Sequence, residues 1–274
     1  MDKELLAQVV TISRTAGEAI LEVYNRDSGF NVDAKADNSP VTEADLAAHK
    51  ILHPALEALL PGVPVLSEES ALPPFSERSS WDRYWIIDPL DGTKEFIKRN
   101  GEFTVNVALI DQGVPVLGVV YVPVLDITYS GIKGLGAWKV SQGEEQAIQV
   151  RTLAERQATG LPIEVVASRS HGADAVDAML DKLTAALGPV DTKNMGSSLK
   201  LCLVAEGQAD LYPRLALTSE WDTAAAQAVV EAAGGQVMDI DFNVLRYNTK
   251  DDILNPYFYV VGDSAYDWPA LLSN

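Results

Sequence analysis

Between Val63 and Val150 the chain holds seven short β-type runs, VPVL, YWII, FTVNVALI, PVLGVVYV, ITYSG, GAWKV and AIQV, separated by Gly, Pro and Asp-rich turns. Runs this short, bounded by such turns, predict strands, and the stretch as a whole predicts a sheet. Helical spacing precedes it. Leu5, Leu6, Val9, Val10, Ile12, Ile20 and Leu21 predict an amphipathic helix over residues 3–24, and a second over about 42–60 stops at Pro61-Gly62. Within the sheet region SALPPFSERSSWDR reads as an exposed loop, and RTLAERQATGLP reads as a connection between two halves, 1–150 and 151–274. The second half alternates: strand IEVVAS, helices over about 173–187 and 197–206, strand ADLY, a helix over about 222–233, then strands QVMDI and YFYVV. The expected class is α+β, built in layers.

Bulk properties exclude several functions. A chain of 274 residues buries about three quarters of its unfolded surface, enough for a full core. A formal charge of -18 argues against nucleic-acid polymers and anionic membrane surfaces, both of which recruit basic faces. The single Cys202 excludes an internal disulfide and a cysteine zinc cluster and suits a reducing cytoplasm. His49, His53 and His171 are too scattered for a histidine metal motif. The N-terminus shows no signal-peptide core, and the longest apolar reach, VPVLGVVYVPVL, is too short to span a bilayer.

The chemistry is carried by acids. In WIIDPLDGTKEF the apolar run drives into Asp88, Pro89 enforces an extended backbone, and Asp91 returns after a tight turn. The Leu90 carbonyl can face the same point, and Gly92 admits a ligand without a Cβ in the way. Thr93 is expected to cap the helical TKEFIK, leaving free amides for an anion. An Asp-Pro turn followed by an ordinary Thr cap accounts for the same letters. VPVLSEES ends a β-type run in Glu68 and Glu69: one a further ligand, the other placed to orient or deprotonate a water, or else both an exposed acidic strand end. SEWDTAAAQAVVEAAGG puts Asp222 at a helix start, as an N-cap or as a fourth acid aimed at the same cavity. Four such carboxylates offer only hard oxygen ligands, which select Mg²⁺ or Mn²⁺. Two unit charges 4 Å apart repel by about 4 kcal/mol at an effective dielectric near 20, so a cluster of this kind calls for cations. Paired metals suit phosphate-monoester hydrolysis, and the expectation is in-line attack by an activated water with no covalent enzyme intermediate.

Together WIIDPLDGT, WDTAAAQAVVEAAGG and the intervening SEES resemble the signatures of the lithium-sensitive, Mg²⁺-dependent inositol monophosphatase superfamily. The resemblance implies a layered α/β/α/β/α sandwich with the site between its halves. It implies that Glu68, Asp88, the Leu90 carbonyl, Asp91 and Asp222 hold two or three metal ions and that Glu69 and Thr93 activate the water. Asp45, in SPVTEAD, matches a further catalytic acid, while Thr42 and Asp45 equally form a capping-box pair. Within the superfamily the chain looks most like the bacterial 3'(2'),5'-bisphosphate nucleotidases, which convert 3'-phosphoadenosine 5'-phosphate to AMP and so clear a by-product of sulfate assimilation. GTKEF, SRSH with His171, GSSLK with Ser197 and Lys200, and LYPRL with Arg214 carry that likeness, and it implies a substrate held by Glu68, Leu90, Asp91, Gly92, Thr93, Lys94, His171, Ser197, Lys200, Arg214 and Asp222. A bisphosphate needs a second anion clamp, which a Lys and an Arg can supply, although both are also common solvated surface groups. The alternatives are an inositol or sugar monophosphatase and a silent cation or nucleotide binder. A cytoplasmic monomer or homodimer is expected, with peripheral membrane association left open.

Overall fold

The structure is a computed structural model that describes residues 1–34, 40–167 and 173–273. Its helices among the described residues are α1 Lys3–Tyr24, α2 Glu43–Leu59, α3 Phe75–Arg78, α4 Thr93–Ile97, α5 Leu153–Thr159, α6 Ala173–Leu187, α7 Leu199–Ala205, α8 Glu220–Ala232 and α9 Trp268–Leu272. The strands are β1 Val32–Ala34, β2 Pro40–Thr42, β3 Val65–Ser67, β4 Arg83–Asp91, β5 Thr104–Asp111, β6 Val114–Val122, β7 Ile127–Ile132, β8 Gly136–Ser141, β9 Glu144–Ile148, β10 Ile163–Ala167, β11 Val190–Asn194, β12 Leu211–Arg214, β13 Gln236–Asp239 and β14 Phe258–Val261.

Alternation of side chains along the strands builds the layers. Strands β3 to β9 form one seven-stranded sheet in sequence order, parallel at β3/β4 and antiparallel thereafter. In β4, Trp85 and Ile87 pack with α1 and α2 on one face, while Tyr84 and Ile86 face the opposite core. Strand β5 repeats the pattern, Val105, Val107 and Leu109 going one way and Ala108 and Ile110 the other. The opposite core is filled by α7 and α8, and its far wall is a second sheet of order β11-β10-β12-β14-β13 through Tyr212, Val237, Phe258 and Val260. The outer face of that sheet buries Val165, Leu211, Tyr259 and Val261 against Met179 and Leu183 of α6 and Trp268 and Leu272 of α9. Helix, sheet, helix, sheet, helix: the chain is an α+β layered sandwich.

The alanine-rich sequence of α8 follows from its central place. It lies on β6 and β7 where both strands carry glycine: a Cβ at Gly118 would come within 2.7 Å of Ala228 Cβ, and one at Gly131 within 2.9 Å of Val229 Cα. Only small residues on both partners permit so close an approach.

Several expectations are corrected. SALPPFSERSSWDR is not simply an exposed loop: it contains α3 and delivers Arg78, which is fully buried. Arg78 donates through Nη1 to Asn248 Oδ1 at 2.6 Å and through Nη2 to the Asp251 carbonyl, and Asn248 in turn donates its N–H to Glu220 at 3.0 Å. A buried guanidinium requires such partners. RTLAERQATGLP is a connection with a helix in it, α5, opened by a Thr152/Glu155 capping box and closed at Gly160. The hairpin β1/β2 and strand β11 carry no run of apolar residues and were not expected. Among the described residues no helix is long and apolar enough to cross a membrane.

Candidate active site

Register brings the first two acids together. Strand β3 pairs in parallel with β4 so that Ser67 stands opposite Ile87, and the Glu68 N–H donates to the Ile87 carbonyl at 3.2 Å. Glu68 therefore emerges beside Asp88. The expected tight turn between Asp88 and Asp91 is instead an irregularity inside β4, which pairs Asp88 with Asn106 and then Asp91 with Thr104. Pro89 lacks the N–H that regular pairing would use, and a bulge at this point re-aims the side chains on either side of it. Leu90, inside the bulge, donates its N–H to Asp88 Oδ1 at 3.0 Å, and its carbonyl lies 3.5 Å from Thr93 Oγ1.

The third acid arrives from α8, which packs in the core that Leu66 and Ile86 face. Asp222 is not the N-cap of α8; Ser219 is, and Asp222 reaches back from the first turn to accept the Ser219 N–H at 2.9 Å. One oxygen each of Glu68, Asp88 and Asp222 lie within 4.8 Å of one another. Asp91 is held differently, accepting from Ser198 N at 2.6 Å and Ser198 Oγ at 2.9 Å. Its charge still acts on the cluster. Asp88 is pushed well above the usual carboxylate range, first by burial and then by the charges of Glu68, Asp91 and Asp222. Burial and then the charge of Asp91 push Asp222 the same way, while its hydrogen bond from Ser219 and the nearby Arg214 act in the opposite sense. Buried carboxylates in mutual repulsion, with oxygen donors only, fit a hard divalent cation.

Beside this cluster, Gly92 rather than Thr93 takes the cap position of α4, with a φ of 95° that favours glycine. Thr93, one residue inside, is freed from capping and donates its hydroxyl to Asp45 Oδ1 at 3.2 Å. Asp45 is buried, and its other oxygen accepts the Thr42 N–H at 2.8 Å and the Thr42 hydroxyl at 2.6 Å. The capping pair thus occupies one oxygen of the Asp45 carboxyl, and the other oxygen meets Thr93. Burial, and with it the charge of Glu69, raises its pKa, so Glu69 belongs to the same neighbourhood.

A cavity of about 520 Å³ opens next to Asp91 and Asp222. Its walls include Gly92, Lys94, Lys98, Ser197, Lys200, Tyr212 and Arg214. Lys200 is nearly buried, with Nζ 3.2 Å from the Ser197 carbonyl and 5.8 Å from the Tyr212 ring, and burial lowers its pKa. Arg214 donates from Nη2 to the Leu217 carbonyl at 3.1 Å, whereas Arg214 Nε and Ser197 Oγ are buried with no hydrogen-bond partner. His171 lies outside the described residues.

Sequence reasoning missed Ser198, whose one hydroxyl proton is shared between Asp91 Oδ2 and the Asp222 carbonyl 2.7 Å away and whose oxygen accepts from Asn106 Nδ2 at 2.9 Å, so that it joins the two acid-bearing elements. It missed Asn106 and Thr104 as well, the latter with its hydroxyl 3.4 Å from Asp91 Oδ2. The signal for Asn106 was present, as a lone amide within the apolar FTVNVALI. Lys98, on the cavity wall, had no such signal.

The family model described as "Inositol monophosphatase family" matches residues 1–264. The chain belongs to the inositol monophosphatase family. Within that family it is 52% identical over 256 residues to the Escherichia coli (strain K12) 3'(2'),5'-bisphosphate nucleotidase CysQ, covering 93% of this chain and 99% of that protein. The crystal structure of CysQ from Bacteroides thetaiotaomicron superposes with a TM-score of 0.79 at 43% identity, covering 96% of this chain and 98% of that one. An inositol monophosphatase from Zymomonas mobilis shares the family fold at 25% identity and a TM-score of 0.73, over 98% of this chain and 96% of that one.

Proposed function

We propose that the chain is a Mg²⁺-dependent phosphatase that removes the 3'-phosphate of adenosine 3',5'-bisphosphate, giving AMP and inorganic phosphate. The family membership and the likeness to proteins named as 3'(2'),5'-bisphosphate nucleotidases support the reaction class. One observation carries the choice of a bisphosphate: the cavity that Asp91 and Asp222 line is also walled by Lys200 and Arg214, two basic groups beside acids that fit cations. A monophosphate held at the acids would leave that basic pair without an anion.

In this reading Glu68, Asp88, the Leu90 carbonyl, Asp91 and Asp222 hold two or three ions, with Mn²⁺ as a possible substitute. The ions would supply positive charge for the phosphoryl oxygens and lower the pKa of the attacking water. The chain's own groups manage its protons. Because the Thr93 hydroxyl gives its proton to Asp45, its oxygen can only accept, so it takes a hydrogen bond from the water. Glu69, in the turn after β3, takes the proton that the water loses on attacking phosphorus; the bond to the 3' oxygen breaks, and that oxygen takes a proton from solvent to become the ribose hydroxyl. Gly92, Lys94 and His171 complete the expected contacts to the substrate.

Phosphate release from adenosine 3',5'-bisphosphate and from inositol 1-phosphate, measured side by side, tests the assignment. A clear preference for the nucleotide is expected, and preference for the inositol ester would move the protein to the monophosphatases of its family. Lys200→Ala and Arg214→Ala are expected to raise KM for the bisphosphate by roughly ten- to a hundredfold, the value of a hydrogen bond to a charged group, and to leave monophosphates nearly unaffected. Equal losses on both substrate classes would remove the second-phosphate clamp.

A further inference from the structure

Asp45 and His49 stand four residues apart on α2, so their side chains leave the same face of one helix. Asp45 reaches Thr93. His49 reaches Ser67, with Nδ1 2.9 Å from the serine Oγ, and that same buried oxygen accepts the Glu69 N–H at 3.2 Å. Strand β3 is three residues long and lies at the edge of its sheet, with β4 as its one strand neighbour. After Ser67 the backbone leaves pairing through the bond from Glu68 N to Ile87 O and the turn bond from Ser70 N to Ser67 O at 3.1 Å. The Glu69 amide donates to the Ser67 hydroxyl oxygen, and a serine side chain has three staggered positions to choose from. The contact with His49 selects the one in which the hydroxyl oxygen meets that amide.

Building on the proposed function, we infer that His49 is a positioning residue: through Ser67 it sets where Glu69 stands relative to Thr93, which Asp45 fixes from the same helix face. One rigid helix then spaces the two groups that handle the water's protons. His49 acts on the turn and takes no proton from the reactants.

The test exploits which ring nitrogen is used. An asparagine amide can occupy the place of Nδ1, whereas a glutamine amide falls nearer the place of Nε2. We expect His49→Asn to retain most of the wild-type kcat, and His49→Gln, His49→Ala and Ser67→Ala each to lose roughly tenfold, with KM and Mg²⁺ affinity unchanged. The double variant His49→Ala/Ser67→Ala is expected to lose no more than either single one. Amide hydrogen exchange at Glu69, read by NMR, should quicken about tenfold in the same three single variants and stay slow in His49→Asn. Wild-type kcat in His49→Ala or Ser67→Ala, equal behaviour of the Asn and Gln variants, or additive losses would each overturn the inference. If the wild-type protein leaves adenosine 3',5'-bisphosphate intact, the proposed substrate fails, and the exchange pattern at Glu69 still decides whether His49 holds the turn.

Discussion

Glu69→Gln is expected to cut turnover by about 10²- to 10⁴-fold, the usual contribution of a positioned general base, while Mg²⁺ binding measured by calorimetry stays close to that of the wild type. The two side chains have the same shape. Gln can still hydrogen-bond to a water but cannot take its proton near neutral pH. The substitution is informative because Glu68 and Glu69 are neighbours with different proposed duties: one helps to form the close carboxylate group with Asp88 and Asp222, and the other acts electrostatically on Asp45 beside Thr93. Loss of metal binding together with activity would place Glu69 among the ligands instead, and undiminished turnover would remove the base.

Asp88→Asn is expected to make the metal-free protein more stable, by on the order of 5 °C in Tm, and to abolish most of the stabilisation that Mg²⁺ confers on the wild type. Burial and three neighbouring carboxylates hold the Asp88 pKa well above its usual range. Its folded state therefore binds a proton more tightly than the unfolded chain does. The resulting sign is that stability falls as pH rises through the interval between the ordinary carboxylate range and the raised value, and acidification within that interval restores it. Asparagine keeps the oxygen that accepts the Leu90 N–H and drops the charge. Metal-free wild type should thus lose stability with rising pH more steeply than the variant, and saturating Mg²⁺ should reverse their order. A variant less stable than the wild type without metal, or stabilised equally by Mg²⁺, would show that these acids do not form a repelling cluster.

Both expectations depend on how residues distant in the chain meet. Trp85 to Ile87 and the apolar positions of α1 announce their elements because hydrophobic periodicity is a property of neighbours in sequence. SEES, DPLDGT and WDTAAAQ stand out for a related reason, since an acid at the end of an apolar run contradicts the pattern around it. Hairpin β1/β2 and strand β11 were not legible, because their stability comes from pairing partners and not from their own composition. Arg78 looked like any charged loop residue until Asn248, some distance along the chain, accepted its hydrogen bond.

The same division separates the cap assignments. Thr93 and Asp222 both have the composition of N-caps, and each proved to stand inside its helix, where Gly92 and Ser219 take the cap position. By itself, the sequence determined the class of layers, the acidic motifs and the kind of cation that oxygen ligands select, because these depend on local pattern and on the chemistry of side chains. Only the tertiary structure decided that Glu68, Asp88 and Asp222 share one small space, that the two oxygens of Asp45 serve different partners, and that Ser198 joins Asp91 to α8. Those are statements of distance between separate elements, and such distances follow from packing two sheets around α8.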